Sequence, residues 1–139
     1  MTESYTGGCA CGTIRYEARG APIVQNHCQC CDCQKRSGTG HSSYLVFAGE
    51  ESFTITGTPS TWAVTGDSGN DKVHAFCGTC GTPVSVTFAA MPGVVAFHAA
   101  SLDEPARFAP ALVTYRRRAL PWDRMAPELQ GFDEMPPSG

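Results

Sequence analysis

The chain reads CACG at residues 9–12 and CGTCG at residues 77–81, two short cysteine motifs far apart in the sequence. Two thiolates that lie one or two residues apart on a tight turn can reach the same ion, and a second pair from a remote turn completes a four-sulfur shell, which is the composition of closed structural zinc sites. A glycine follows each pair and permits the positive φ angle that such turns often require. The motifs therefore predict one structural zinc that joins the first strand to a later hairpin and is bound by Cys9, Cys11, Cys77 and Cys80.

Disulfides and unrelated buried thiols are the alternatives for these four cysteines. A disulfide between cysteines two residues apart is strained, and disulfides persist mainly outside the reducing cytoplasm. The first residues show no basic stretch followed by an apolar one, so no signal peptide is predicted, and no apolar run reaches the roughly 18 residues that cross a bilayer. We therefore expect a cytoplasmic protein without a membrane partner, in which clustered cysteines bind metal or take part in catalysis.

A third cysteine motif, CQCCDC at residues 28–33, lies between the other two. Its first, third and sixth residues can direct three sulfur atoms to one point from a turn that enters a helix, while no fourth ligand is evident. Three protein ligands and one open position are typical of catalytic zinc, which can bind and ionise an incoming thiol. The motif thus predicts a second, reactive zinc bound by Cys28, Cys30 and Cys33.

Two other interpretations of this middle motif remain open at the level of sequence. One is a second closed structural zinc, whose fourth ligand would be His27, Cys31 or His41. The other is a redox-active thiol group without a metal. Lys35 and Arg36 follow the motif, and their positive charges would favour thiolates and could receive a carboxylated substrate.

Length and charge set further bounds on function. With 139 residues and 42% hydrophobic residues, the chain is expected to form one domain, residues 1–139, with a modest core. The net charge of -3 lacks the basic footprint of a nucleic-acid-binding protein, so no nucleic-acid partner is expected. The one run of arginines, residues 116–118, is predicted to be a solvated surface stripe.

The hydrophobic pattern predicts an all-β fold of the sandwich or barrel type. Segments of about five residues alternate polar and apolar side chains and are separated by turn signals every eight to twelve residues. One short helix is expected at residues 32–36, ended by Gly38. An extended tail is predicted at about residues 121–139, anchored by Trp122 and Phe132. The predicted strands cover residues 13–18, 23–28, 43–47, 52–56, 61–65, 73–76, 84–88, 94–98 and 112–115.

Over nearly its whole length the chain resembles the glutathione-dependent formaldehyde-activating enzyme family, whose relatives include the centromere protein V-like proteins. The resemblance rests on five stretches in the family's order and spacing. They are GGCACGTIRY at 7–16, CQCCDCQKRSG at 28–38, SGN at 68–70, FCGTCGTP at 76–83 and ALPW at 119–122.

This resemblance implies a β-tent fold of several coiled antiparallel sheets and two zinc ions per chain. The structural zinc would lie on Cys9, Cys11, Cys77 and Cys80, and the active-site zinc on Cys28, Cys30 and Cys33. It also implies a carbon–sulfur lyase that condenses a small thiol, glutathione, with formaldehyde to give S-hydroxymethylglutathione. The centromere-related branch suggests the alternative, a zinc-binding interaction module without catalysis.

Two positions depart from the family pattern. Cys31 adds a thiol where the pattern needs none, and His74 stands where family members often carry arginine. His74 and His98 lie in strand-like stretches and are predicted to be satisfied core or surface residues rather than ligands.

Overall fold

The structure is a computed structural model that describes residues 3–137, and most of its regular secondary structure is β-strand. The predicted all-β class is therefore confirmed. The described residues form two sheets. The smaller has three antiparallel strands in the order β1-β2-β5, which are β1 (Ser4–Gly8), β2 (Arg15–Arg19) and β5 (Phe53–Thr56).

The larger sheet has eight strands in the order β11-β10-β3-β4-β9-β8-β7-β6. From β4 to β6 the neighbouring strands are antiparallel, and β8 and β9 form the hairpin expected around residues 91–93. The strands are β3 (Val24–Cys28), β4 (Ser42–Ala48), β6 (Ser60–Thr65), β7 (Asp71–Phe76), β8 (Pro83–Phe88), β9 (Val94–His98), β10 (Leu112–Thr114) and β11 (Gln130–Gly131).

One end of the large sheet is parallel, which the sequence pattern did not predict. Strand β10 pairs in parallel with both β3 and β11, so that Leu112 lies opposite Asn26 on one side and Gln130 on the other. Parallel neighbours need long connections, and the chain between β3 and β10 contains most of the fold. The large sheet is therefore mixed rather than purely antiparallel.

Strand β1 was also missed, because its sequence ends in two glycines that give no alternating pattern. Gly7 lies where the backbone passes close to its neighbours: a Cβ atom built there would collide with the hydroxyl of Tyr16 and the carbonyl oxygen of Ser101. Glycine is the residue that permits such an approach. The absence of a side chain thus hides this strand from a hydrophobicity pattern while allowing it to pack.

The short helix lies where the sequence predicted it. Helix α1 (Cys31–Ser37) begins after Cys30, whose Sγ accepts a hydrogen bond from the backbone N–H of Cys33 at 3.4 Å. It ends at Gly38, which has a φ angle of 77°. This is the left-handed glycine that commonly terminates helices.

The principal core lies between the two sheets. Phe97 on β9 is fully buried, and its ring stacks on Tyr16 of β2 with ring centroids 4.0 Å apart and an interplanar angle of 11°. The rings of Phe47 and Phe53 meet Phe97 edge to face at 6.1 and 6.0 Å. Adjacent residues of a strand point to opposite faces, so Ala96 faces away from this core. A second, smaller buried cluster lies around Ala96 and includes Cys28, Cys33, Tyr44 and Val86.

The C-terminal segment is held to the sheet by backbone contacts. Strand β11 pairs with β10, and the N–H of Phe132 donates to the carbonyl of Val113 at 2.9 Å. The predicted anchoring role of Trp122 is wrong, because its side chain is 65% exposed, whereas Phe132 is half-buried. Within residues 3–137, no helix has both the length and the apolar character needed to cross a membrane.

The central aromatic ring gives a stability prediction. Replacing Phe97 by Ala should lower the free energy of unfolding by about 3–5 kcal/mol, because the substitution leaves a cavity where four aromatic rings meet. Chemical denaturation of the purified protein measures this loss. Trp122→Ala is the matched control and should change stability by less than about 0.5 kcal/mol. Equal effects of the two substitutions would contradict the placement of the core.

Candidate metal centres

Two turns of similar construction carry the first and last cysteine pairs. Cys9 and Cys11 lie between β1 and β2, and Cys77 and Cys80 lie between β7 and β8. In the first turn the N–H of Gly12 donates to the carbonyl of Cys9 at 3.1 Å, and in the second the N–H of Gly81 donates to that of Cys77 at 2.8 Å. The two glycines have φ angles of 84° and 81°. The positive φ expected from the sequence is therefore present in both turns.

The four sulfur atoms of these turns lie within 4.8 Å of one another. The Sγ atom of Cys11 is 3.7 Å from that of Cys9 and 3.7 Å from that of Cys77. Zinc at about 2.3 Å from four tetrahedral sulfurs places those sulfurs about 3.8 Å apart, whereas a disulfide requires about 2.05 Å. All four cysteines are free thiols, so their spacing fits a metal ion and not a disulfide.

Hydrogen bonds prepare these sulfurs to carry negative charge. The backbone N–H of Ile14 donates to Cys9 Sγ at 3.3 Å, and the N–H groups of Thr79 and Cys80 donate to Cys77 Sγ at 3.3 and 3.4 Å. Hydrogen bonds from Thr82 lower the pKa of Cys80 to about 5. Since zinc binds thiolates, such donors favour the protonation state that a metal needs.

The middle motif brings three sulfurs together at the start of α1. Cys28 ends β3, Cys30 precedes the helix, and Cys33 lies in its first turn; their Sγ atoms lie within 4.8 Å of one another. Hydrogen bonds from Cys30 and Cys33 lower the pKa of Cys28 to about 3, and the contact with Cys28 raises that of Cys33. One thiolate thus forms readily, and its charge opposes loss of the next proton. A bound cation would offset this repulsion, so the donor set fits a soft divalent metal such as zinc.

The three residues proposed as a fourth ligand lie outside this group. In residues 3–137, no further His, Cys, Asp or Glu has a ligand atom within 4.8 Å of all three sulfurs. His27 follows the strand alternation away from Cys28, and its Nδ1 lies 2.8 Å from Ser43 Oγ. His41 Nδ1 lies 2.9 Å from a carboxylate oxygen of Asp123, and Cys31 is exposed. The described candidates for a fourth ligand are therefore paired with other residues or directed away from the three sulfurs.

Tyr44 contacts the middle cysteine group through Cys33. Its hydroxyl lies 3.2 Å from Cys33 Sγ, and burial raises its pKa well above the ordinary value for tyrosine. The hydroxyl therefore stays protonated and can donate to the sulfur. The hydroxyl of Ser42 also binds Cys33, because it donates a hydrogen bond to the backbone carbonyl of Cys33 at 2.8 Å. Sequence reasoning missed both residues, because they belong to β4 and come into contact only through the β3–β4 pairing.

A cavity of about 620 Å³ opens beside the middle group and is lined by all four cysteines of that motif. Its exposed inner surface is largely apolar, with five charged residues among those that line it. Lys72 on β7 lines it and lies 3.3 Å from the carboxylate of Asp32. Arg118, from the run predicted to be only a solvated stripe, lines it as well. A cavity of this size accommodates a whole small-molecule ligand.

The positive charge beside the middle cysteines does not come from Lys35 and Arg36, the residues that the sequence suggested. Lys35 and Arg36 do not line this cavity: Lys35 is exposed, and the Arg36 guanidinium lies 4.4 Å from the ring centre of Trp62. Lys72 takes that role. Burial lowers its pKa, but the nearby sulfurs of Cys30 and Cys33 and the carboxylate of Asp32 together outweigh burial and raise the pKa, so the ammonium stays charged. It is distant from the motif in sequence, so no local signal identifies it.

His74 lies on the cavity wall, and it is neither a satisfied core residue nor a surface residue, the two alternatives that the sequence predicts. It is buried, yet neither ring nitrogen has a hydrogen-bond partner among the described residues. Burial, with further effects of Lys72 and Arg36, lowers its pKa to about 4. His98 is also buried and stacks at an angle on Tyr44. A buried polar ring without a partner is a destabilising feature.

Comparison with known proteins agrees with the resemblance seen in the sequence. The family model for the glutathione-dependent formaldehyde-activating enzyme matches residues 4–118, and the chain belongs to that family. A crystal structure of a Rhodobacter sphaeroides protein from a structural genomics programme superposes with a TM-score of 0.54 at 19% identity, covering 70% of this chain and 87% of that one. This likeness shows a shared fold. No curated protein matches the chain significantly. The two cysteine clusters could each hold a metal ion and are compatible with zinc.

The four-sulfur group gives a prediction on metal and folding. Cys77→Ser should abolish both zinc binding by the four-sulfur group and cooperative folding, because metal binding worth on the order of 10 kcal/mol is coupled to folding. Native mass spectrometry measures the zinc, and circular dichroism measures the fold. Thr79→Ala, a change in the same turn that removes no sulfur, is the control. Full zinc occupancy in Cys77→Ser would contradict this prediction.

The buried histidine gives a prediction on pH. A pKa of about 4 in the folded chain lies below about 6.5 in the unfolded chain, so the unfolded chain binds more protons between these values. His74 should therefore lower stability as pH falls from 6.5 towards 4. His74→Leu should stabilise the protein by about 1 kcal/mol at pH 8, where both forms are neutral, by removing an unpaired polar ring.

Urea denaturation of the wild type and His74→Leu at several pH values tests this. The stability difference between them should widen below pH 6.5 and stay constant above it. If this stability difference does not change with pH, protonation of His74 does not destabilise the folded protein and the prediction is wrong.

Proposed function

We propose that this chain is a zinc-dependent carbon–sulfur lyase that acts on the adduct of a small thiol with an aldehyde. The family supports glutathione-dependent activation of formaldehyde. The reaction that we propose for it is the condensation of glutathione with formaldehyde to S-hydroxymethylglutathione. One observation carries the proposal: three clustered sulfurs without a fourth described protein ligand lie on the wall of a cavity large enough for a substrate. Closed structural sites use all four positions, whereas catalytic sites leave one open.

In this proposal the chain holds two zinc ions with different roles. Cys9, Cys11, Cys77 and Cys80 would hold the structural ion, and Cys28, Cys30 and Cys33 would hold the active-site ion. Zinc at the second position would supply Lewis acidity, which favours the deprotonated form of an incoming thiol at neutral pH.

The side chains around the middle group bind and orient the reactants. With Cys33 as a metal-bound thiolate, the hydroxyl of Tyr44, 3.2 Å away, would donate to that sulfur and reduce its negative charge. Glutathione carries two carboxylates and one ammonium group. Lys72 and Arg118 can bind the carboxylates, while Asp67 and Asp71, which also line the cavity, can receive the ammonium. The thiol would then be placed beside the three cysteines.

The proposed reaction joins one thiol and one aldehyde without any oxidant. The sulfur lone pair forms a bond to the carbonyl carbon, and the π pair of the carbonyl moves onto oxygen. That oxygen takes up one proton, and the thiol loses one, so the protons balance. Cleavage of the adduct is the reverse: the carbon–sulfur bond breaks, and its electron pair stays on sulfur. A bound substrate that fills the cavity would displace water from its apolar walls, which would strengthen the electrostatic contacts there.

Paired cysteine substitutions test this function. Cys30→Ser should leave the protein folded with one zinc instead of two, and should lower the rate of thiol–formaldehyde exchange by about 100-fold, because a ligand to the reactive metal is lost. Cys31→Ser is the matched control: it removes the exposed neighbouring thiol, which lies outside the three-sulfur group, and should keep both the zinc content and the rate within about twofold.

Exchange NMR of glutathione and formaldehyde measures the rate, and native mass spectrometry counts the zinc. If the folded wild type with two zinc ions leaves the exchange rate unchanged, the lyase proposal fails. General unfolding of Cys30→Ser would instead indicate a structural role for the middle group.

A further inference from the structure

We propose that the thiol adduct handled by this protein carries an apolar group of several carbons, which lies along an aliphatic wall of the cavity beside the middle cysteines. The proposal rests on the proposed lyase function and names the class of aldehyde: alkyl or aromatic aldehydes larger than formaldehyde. This aliphatic wall consists of Val24, Val46, Ala96 and Val86, which all line the cavity.

The strand register places these four residues in one continuous row. Val24 on β3 lies opposite Val46 on β4, Val46 lies opposite Ala96 on β9, and Ala96 lies opposite Val86 on β8. Residues directly opposite each other on paired strands share a face of the sheet. The aliphatic wall is therefore a band across four strands, and all of its members line the cavity.

The aliphatic wall is continuous with the reactive group. Ala96 and Val86 belong to the same buried cluster as Cys28 and Cys33, and Val46 packs against that cluster. A carbon chain that starts at a sulfur held near the cysteines would pass the Asn26–Tyr44 pair, which lies between Cys28 and the Val24–Val46 pair, and would then run along the wall. Three apolar side chains at the cavity mouth, Ile23, Met91 and Met135, extend the apolar lining although they are exposed.

Formaldehyde leaves this wall without a partner. Its adduct with glutathione adds one carbon and one hydroxyl to a polar peptide, so almost no apolar surface is available to cover the aliphatic wall. The polar part of the lining, which includes Lys72, Arg118, Asp67 and Asp71, can bind the charged groups of the peptide part. A longer apolar group would bury against the wall, and each methylene would strengthen binding about fourfold.

The reaction is the one proposed above with a larger aldehyde. A thiol and an aldehyde R–CHO combine to a hemithioacetal in which sulfur and hydroxyl share one carbon that also bears R. The same bond forms and breaks, the protons balance in the same way, and no oxidant is needed. Only the group R differs, and R is the part that the aliphatic wall would recognise.

S-alkylglutathiones test recognition separately from catalysis, because their thioether bond cannot undergo the exchange reaction. Binding of S-methyl-, S-butyl-, S-hexyl- and S-octylglutathione to the zinc-loaded protein is measured by calorimetry. Affinity should rise about fourfold per methylene until the cavity is filled. Val46→Thr puts a hydroxyl on the wall at nearly constant volume and should weaken the hexyl ligand about fourfold or more, while the methyl ligand changes little.

Val73→Thr is the matched control, since Val73 is also a half-buried strand valine but does not line the cavity. It should leave the dependence on chain length unchanged. Equal affinity for all chain lengths, or the same response in both variants, overturns the proposal.

The exchange rates of formaldehyde and hexanal with glutathione distinguish the two proposals. Length-dependent binding without exchange would overturn the lyase function but not the apolar site, and exchange with formaldehyde alone would overturn the apolar site but not the lyase function.

Discussion

The meeting of two cysteine-bearing turns is the constraint on which the rest of this structure depends. One turn joins the strands of the small sheet, and the other joins two strands of the large sheet, and Cys11 Sγ and Cys77 Sγ lie 3.7 Å apart where they meet. The N–H of Ala10 adds a hydrogen bond to Thr82 across the same contact. The small sheet contributes Tyr5, Tyr16 and Ala18 to the shared core, so burial of its apolar face depends on contact with the large sheet. The contact holds the small sheet where Tyr16 can stack on Phe97.

Once the small sheet covers one face of the large sheet, the opposite face becomes available for a site. Neighbouring residues of β9 show this division: Phe97 is fully buried in the core between the sheets, while Ala96 lines the cavity. The alternation of side chains along a strand makes the two faces chemically independent. The middle cysteines lie on the second face, at the end of β3 and the start of α1, beside aliphatic side chains from four strands.

Local signals in the sequence predicted the features that depend on a few consecutive residues. The cysteine spacings predicted which sulfurs come together, and Gly38 predicted the end of the helix, because a turn or a helix end is decided by its own residues. Predictions that needed a partner elsewhere in the chain were weaker. Strand β1 was missed because its two glycines give no hydrophobic alternation. The predicted anchoring role of Trp122 was wrong because the local sequence does not show whether another part of the chain packs against this side chain.

The sequence by itself determined the all-β class, the family and the two groups of clustered cysteines. Only the tertiary structure decided what surrounds the middle group. Lys72 supplies its positive charge, Tyr44 supports Cys33, and His74 is buried without a partner, although none of these lies next to the motif in the sequence. The physical reason is that sulfurs a few residues apart are held by local backbone geometry. The cavity wall, in contrast, depends on the register between strands that are far apart in the chain.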